Sequence, residues 1–184
     1  TLMTISRGEL NQAKNSYNLN QTVDDYLQRI FGKTASLFLL STESGGILSE
    51  APESSIQALK QYGHDLGMAF QIVDDILDFI GTEEELGKPA GSDLTQGTLT
   101  LPAFMLNQRY PQDNPVKRLF HERKSTENIQ LAIDQVRNSD IVEKCYQKAK
   151  VYCDSACLFL KELPDIEAKE SLEKLASFVV KRKN

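Results

Sequence analysis

Residues 66–78 decide the fold of this chain, and they read Leu-Gly-Met-Ala-Phe-Gln-Ile-Val-Asp-Asp-Ile-Leu-Asp. Wound at about 100° per residue, they form an α-helix with two unlike faces. One face carries an amide and three acids within an arc of roughly 100°: Gln71, Asp74, Asp75 and Asp78. The other face carries apolar side chains and predicts a core: Leu66, Phe70, Val73, Leu77 and Ile80.

The three acids predict a metal site. Carboxylates this close together repel one another, and apolar surroundings raise the free energy of ionising them. A bound cation is the simplest compensation, and oxygen ligands alone favour a hard ion such as Mg²⁺. That ion usually takes one or two carboxylates, keeps water molecules and shares a phosphate group.

The composition predicts a soluble globular domain with a sizeable core, because 40% of the 184 residues are hydrophobic and 26% are charged. The net charge of −5 argues against non-specific nucleic-acid binding. No apolar run reaches the roughly 18 residues that a transmembrane helix needs. Cys145, Cys153 and Cys157 have no histidine near them in sequence, which argues against zinc and predicts buried core thiols.

The apolar spacing predicts helices almost throughout and no strands. Thr22 and Asp25 have the spacing of a capping box, and Gly45 with Gly46 is expected to break the helix that follows. The predicted helices cover residues 1–17, 22–40, 52–79, 100–109, 113–122, 126–137, 140–162 and 165–181, with an irregular loop at 80–98.

The predicted helix at 22–40 places a lysine, Lys33, among apolar side chains within an arc of roughly 80°. These neighbours are Tyr26, Ile30, Leu37 and Leu40. Such a lysine either snorkels to water or finds an anion. In the second interpretation it points into the cleft that the acids face, beside the hydroxyl of Thr34. Lys88, in the glycine-rich loop, is likewise either solvated or a second ammonium group of that cleft. Ammonium groups opposite metal-loaded carboxylates would hold a diphosphate.

These residues resemble the trans-prenyltransferases, the all-helical isoprenyl diphosphate synthases. Residues 66–78 are similar to the second aspartate-rich motif of that family, and Gly-Lys-Thr-Ala-Ser-Leu at 32–37 resembles its Lys-Thr motif. Residues 87–94 with 99–102 resemble the loop after the second motif, and residues 8–12 resemble an upstream helix. The similarity is strong over residues 1–106, and it is greatest to long-chain members of the solanesyl diphosphate synthase type, found in bacteria and plastids.

The resemblance implies an all-α, isoprenoid synthase-type helical bundle around a central cleft. It also implies a Mg²⁺-dependent enzyme that elongates an allylic diphosphate with isopentenyl diphosphate. The product would be a long-chain polyprenyl diphosphate of the quinone side-chain type. A homodimer in the bacterial cytoplasm or in a plastid is the implied state and location.

The resemblance also implies roles for individual residues. The catalytic set that it implies is Lys33, Thr34, Gln71, Asp74, Asp75 and Lys88. Asp74 would bind Mg²⁺ with Asp78 in support, and Asp75 would be a direct or water-mediated partner. Lys33 and Lys88 would contact the allylic diphosphate. Thr34 and Gln71 would form hydrogen bonds near the diphosphate and the allylic cation.

One part of the family pattern is absent from this sequence. The family has two aspartate-rich motifs that face each other, whereas this chain has one, and Asp24 with Asp25 opens a helix instead. We therefore expect residues 1–184 to be the C-terminal portion of a single polyprenyl synthase domain, with its N-terminal helices missing and little activity alone. The alternatives are a non-catalytic regulatory subunit of a heteromeric prenyltransferase and a terpene cyclase-like lyase.

Overall fold

The computed structural model describes residues 2–123 and 125–182, and within these ranges the chain is helical almost throughout and has no strand. This confirms the predicted all-α class. The α-helices are α1 (Leu2–Lys14), α2 (Val23–Ile30), α3 (Ser36–Leu48), α4 (Glu53–Ile80), α5 (Glu83–Leu86), α6 (Ser92–Thr95), α7 (Leu101–Arg109), α8 (Pro115–Glu122), α9 (Thr126–Arg137), α10 (Ile141–Phe159) and α11 (Glu167–Lys181). A π-helical segment, Phe31–Ala35, joins α2 to α3, and a 3₁₀ turn, Leu160–Glu162, follows α10.

Helix α4 is the centre of the fold and packs most extensively against α3 and α10. Its predicted apolar face lies in or against the core: Leu66, Val73 and Leu77 are buried, and Phe70 and Ile80 are partly buried. Burial extends further around the helix than the two-face description predicts, since Ile72 and Ile76 have no exposed surface. The acids of α4 therefore project from a helix that is surrounded by protein on most sides.

Helices α3 and α4 approach each other too closely for side chains at two positions. A Cβ atom at Gly67 would lie 2.5 Å from the Cα of Ala35, and one at Gly63 would lie 2.7 Å from the carbonyl oxygen of Phe38. Glycine at these positions lets the two backbones meet. The contact fixes α4 against the helical segment that carries Lys33.

The helix that begins after Thr22 differs from the prediction in length. Its capping box is confirmed, because the Thr22 hydroxyl accepts from the Asp25 amide while the Asp25 carboxylate accepts from the Thr22 amide. The predicted break at Gly45 and Gly46 is wrong, since the helix continues to Leu48. Gly46 is buried against α4, where an added Cβ would lie 3.1 Å from a methyl group of Leu59. Packing here outweighs the low helix propensity of glycine, about 1 kcal/mol per residue.

The second half of the chain follows the predicted order of helices. The loop at 80–98 contains two single-turn helices, α5 and α6. Cys145 and Cys153 are buried as predicted, whereas Cys157 is partly exposed. No helix within the described ranges combines the length and the apolar character that crossing a membrane requires.

Candidate active site

A polar cavity of about 270 Å³ lies between the π-helical segment, α4 and the loop after α4. It brings together five of the predicted site residues, namely Lys33, Gln71, Asp74, Asp75 and Lys88. The other residues that line it are Gln12, Arg29, Ile30, Asp93, Gln96, Thr98 and Thr100. Thr34 and Asp78 do not line the cavity, but each is hydrogen-bonded to a residue that does.

The π-helical segment places Lys33 at the mouth of the cavity. Gly32 packs against α1, where a Cβ atom on Gly8 would lie 3.1 Å from the backbone of Gly32 and Lys33. The Lys33 ammonium group donates to the Gln12 side-chain oxygen at 3.3 Å and lies 3.8 Å from a carboxylate oxygen of Glu9. The side chain of Lys33 is 41% exposed. Lys33 thus faces the same cavity as the acids, as the second of its two interpretations expects.

Asp74 is the most open carboxylate of the α4 motif, with 53% of its side chain exposed. Among the described residues its two oxygens make only long contacts, both at 3.3 Å. One contact is with the Gln71 amide nitrogen and the other with the guanidinium group of Arg182. Arg182 also lies over the ring of Phe70, 4.8 Å from its centre. The end of α11 therefore reaches the carboxylate that the family resemblance implies as the leading metal ligand.

Asp75 is buried, in contrast to its neighbour. Its carboxylate accepts from the Tyr26 hydroxyl and from the Gln71 amide nitrogen, each at 2.8 Å. Burial raises the pKa of Asp75 to about 7, and repulsion from Asp93 adds to the effect. The hydrogen bonds and the nearby Arg29 oppose this rise without cancelling it. Asp75 is therefore a carboxyl group held by protein donors.

Asp78 anchors the loop that follows α4. Its side chain is 2% exposed and accepts from the Lys88 ammonium group at 3.0 Å, the Ser92 hydroxyl at 2.9 Å and the Asp93 amide at 3.2 Å. These hydrogen bonds to Asp78 hold Lys88 and the loop against the cavity. Although burial opposes the charged form, the hydrogen bond to Asp78 and its charge raise the pKa of Lys88. A metal ion on Asp78 would have to share its oxygens with these three donors.

Three residues of this site were missed from the sequence. Asp93 lines the cavity, and burial followed by repulsion from Asp78 raises its pKa. Arg29 lies buried in the wall, where it donates to the Leu99 carbonyl at 2.6 Å. Arg182 arrives from the far end of the chain. A carboxylate in the glycine-rich loop was the only available signal. The folding of that loop decides the position of Asp93 and the path of α11 decides that of Arg182, whereas the burial of Arg29 depends on how α2 packs near Leu99.

The cavity has the donors for a hard cation but not a complete cage. Within the described ranges, no three His, Cys, Asp or Glu side chains converge as a ready metal site. Mg²⁺ does not require such a cage, since one or two carboxylates, water and a phosphate suffice. The open oxygens of Asp74 fit that requirement.

A comparison with known families decides the assignment. Residues 1–136 match the family model described as polyprenyl synthetase. The chain belongs to this family. The match extends beyond the strong similarity expected over residues 1–106, and the resemblance to the isoprenyl diphosphate synthases is confirmed.

Relatives of this polyprenyl synthetase family member include long-chain synthases. Heptaprenyl diphosphate synthase component 2 of Bacillus subtilis (strain 168) is 38% identical over 183 residues, covering 100% of this chain and 52% of that protein. The chloroplastic solanesyl-diphosphate synthase 2 of Oryza sativa subsp. japonica is 37% identical over 175 residues, covering 95% of this chain and 43% of that protein. The chain thus spans about half the length of the curated relatives that it matches.

The fold is likewise that of solved polyprenyl synthases. A polyprenyl synthase from Caulobacter crescentus CB15, solved with calcium and isoprenyl diphosphate, has a TM-score of 0.93 and 34% sequence identity. The match covers 99% of this chain and 56% of that one. The expected isoprenoid synthase-type helical fold is confirmed.

Proposed function

We propose that this chain forms the diphosphate-binding half of an enzyme that elongates an allylic diphosphate with isopentenyl diphosphate. The observation that carries the proposal is the convergence of two lysines, Lys33 and Lys88, with three carboxylates on one small cavity. Ammonium groups bind phosphate oxygens, and the carboxylates attract the cation that accompanies a diphosphate. The chain's membership of the polyprenyl synthetase family supports this assignment.

Asp74 is the residue we propose as the Mg²⁺ ligand, with Asp78 in support and Asp75 close by. Asp74 has exposed oxygens, and its long contacts to Gln71 and Arg182 are easily displaced. When bound, Mg²⁺ supplies positive charge that neutralises a diphosphate leaving group. The Caulobacter crescentus polyprenyl synthase, which was solved with calcium and isoprenyl diphosphate, supports a role for a divalent cation in this proposal.

The protein's own contribution is positioning and electrostatics. Lys33 and Lys88 hold the allylic diphosphate and stabilise the charge that grows on it as the carbon–oxygen bond breaks. Gln71 and Thr34 lie beside them and present polar groups to the reacting end. The isopentenyl double bond then attacks the allylic carbon and a proton is lost. No covalent bond to the protein forms at any stage.

We further propose that the chain works inside a larger unit. It spans about half the length of its relatives and carries one aspartate-rich motif. The opposite motif and most of the isopentenyl diphosphate site would come from the rest of one polyprenyl synthase domain. In this proposal the domain forms a homodimer in the bacterial cytoplasm or in a plastid, and its product is a long-chain polyprenyl diphosphate of the quinone side-chain type.

A second candidate is a non-catalytic regulatory subunit of a heteromeric prenyltransferase. One observation favours a heteromer, because the Bacillus subtilis relative is named as component 2 of its synthase. The retained charges of the cavity favour catalysis, since a purely regulatory subunit has no use for Lys33, Asp74 and Lys88 in one place.

The test is an elongation assay on the full-length protein with labelled isopentenyl diphosphate and an allylic diphosphate. We expect elongated polyprenyl diphosphates as products when Mg²⁺ is present and no product in EDTA. Asp74→Asn should remove turnover while retaining the helical circular dichroism, and Asp24→Asn, at an exposed helix terminus, is the matched control. A product made only after a second polypeptide is added would support the subunit alternative. A cyclised hydrocarbon would support the lyase, and unchanged turnover in Asp74→Asn would refute the assignment of Asp74.

A further inference from the structure

A line of hydrogen bonds runs from the core along the wall of the cavity, where Asp75 and Gln71 lie, and ends at Thr34. At its inner end the hydroxyl of Tyr26 donates to Asp75 Oδ2 at 2.8 Å. Asp75 Oδ1 accepts from Gln71 Nε2, also at 2.8 Å, and Gln71 Oε1 accepts from the Thr34 hydroxyl at 2.6 Å. Tyr26 has no exposed surface and Asp75 is 3% exposed. Solvent water therefore does not compete with Tyr26 for the Asp75 carboxylate.

The line has a fixed direction. In the ionised carboxylate both oxygens of Asp75 accept, so Gln71 turns its NH₂ group towards it, and the same nitrogen makes the longer contact to Asp74. The amide oxygen of Gln71 must then face Thr34, whose only proton it receives. The remaining positions on these two oxygens can only accept a hydrogen bond or face a positive charge.

We propose that Tyr26 is a positioning residue that sets this direction and so points acceptor oxygens at the reacting end of the substrate. The proposal rests on the proposed function and deepens it. A diphosphate offers only acceptor oxygens, so the amide oxygen of Gln71, the residue of this pair that lines the cavity, faces the allylic carbon, where positive charge develops, rather than the phosphates. Groups aimed at developing charge stabilise the transition state more than the bound substrate.

Loss of the Tyr26 hydroxyl would remove the interaction that orients Asp75 and, through it, Gln71. Asp75 Oδ2 would have no protein donor among its described contacts, and the carboxylate could turn towards the buried Arg29, whose charge already acts on it. Gln71 would then lose the acceptor that orients its amide. Phenylalanine at position 26 keeps the ring and its edge-to-face contact with Phe104, at 6.1 Å between ring centres. Tyr26→Phe therefore tests the hydroxyl rather than the packing.

The experiment measures steady-state kinetics of the full-length protein with both diphosphate substrates. Tyr26→Phe should lower kcat on the order of 10-fold to 100-fold, as loss of an outer hydrogen-bond partner commonly does. KM for each substrate should stay within about twofold, because the lost interaction acts in the transition state. Tyr62→Phe is the control, since Tyr62 is equally buried but donates to the Leu172 carbonyl, away from the cavity. This control should keep kcat despite a comparable loss in melting temperature.

Asp75→Asn provides a second variant that keeps the shape of the line. The new amide can accept from Tyr26 and donate to Gln71 Oε1, which turns the Gln71 NH₂ group towards Thr34. Every partner stays satisfied while the direction reverses, so the variant should fold and lose kcat with unchanged KM.

Three outcomes are informative. Loss of kcat in both Tyr26→Phe and Asp75→Asn, with the control unaffected, supports the proposal. A kcat within twofold of the parent in either variant overturns it, as does an equal loss in Tyr62→Phe. Failure of the parent protein to elongate any allylic diphosphate refutes the proposed function instead, and with it the role assigned to Tyr26.

Discussion

Replacement of Asp75 by asparagine should change how the stability of the protein depends on pH. Burial raises the pKa of this carboxyl to about 7, from an ordinary value of 3.8. The folded protein therefore keeps a proton on Asp75 over a pH range in which the unfolded chain has lost it. Stability from this proton is fully present below about pH 4 and is lost as the pH rises to about 7.

The magnitude follows from the two pKa values. A difference of about three pH units corresponds to about 4 kcal/mol over the whole range. Between pH 5 and pH 8 the parent protein loses most of this stability, about 3 kcal/mol, whereas the Asp75→Asn variant loses none of it. Asp75→Asn should therefore gain about 3 kcal/mol relative to the parent between these two pH values, because its amide never ionises.

The assay is urea unfolding of the full-length protein at pH 5, 6, 7 and 8 in EDTA, which keeps divalent cations off the site. Asp24→Asn removes an exposed carboxyl from the first turn of α2 and is the control. Its stability difference from the parent should change by less than about 1 kcal/mol over the same range. A pH-independent difference between Asp75→Asn and the parent would refute the reasoning, because it would mean that burial does not favour the neutral acid.

Four further variants test other parts of the structure in the full-length protein. Asp78→Ala removes the acceptor for three donors. The loop after α4 should therefore become sensitive to proteolysis, and the free energy of unfolding should fall by about 2–4 kcal/mol. Gly67→Ala should lower the free energy of unfolding, measured by thermal denaturation, by about 1–3 kcal/mol through overpacking. Gly45→Ala, with open space around it, should raise the free energy of unfolding by up to about 1 kcal/mol. Arg182→Gln removes the guanidinium group that pairs with Asp74 and would compete with a metal ion for it. The Mn²⁺ concentration that half-saturates the site, measured by electron paramagnetic resonance, should therefore fall by up to about fivefold. A rise in that concentration would contradict this reasoning.

Much of the fold could be predicted because its signals are local. The capping box at Thr22 and the apolar period of α4 lie within a few turns of helix, and the structure has both. The convergence of Lys33 with the α4 acids was one of two interpretations of a lysine among apolar side chains, and the family resemblance favoured it. The order of the later helices also followed from spacing and turn residues.

The remaining features depend on contacts between distant segments. The π-helical segment interrupts the regular 100° spacing, and Leu37 and Leu40 beyond it are exposed, although they were placed on one apolar face with Tyr26 and Ile30. The close approach of Gly8 and Gly32 accompanies this change. Arg182 meets Asp74 across 108 positions of sequence, which no local pattern can signal.

The central claim is that one cavity holds a diphosphate between its lysines and a magnesium-loaded carboxylate. A crystal structure of the full-length protein with Mg²⁺ and an unreactive thio-analogue of an allylic diphosphate tests this most directly. We predict phosphate oxygens within hydrogen-bond distance of Lys33 and Lys88, with Mg²⁺ on Asp74 and Arg182 displaced from it. A diphosphate bound away from these lysines, or Asp74 still paired with Arg182 at saturating Mg²⁺, would contradict the account.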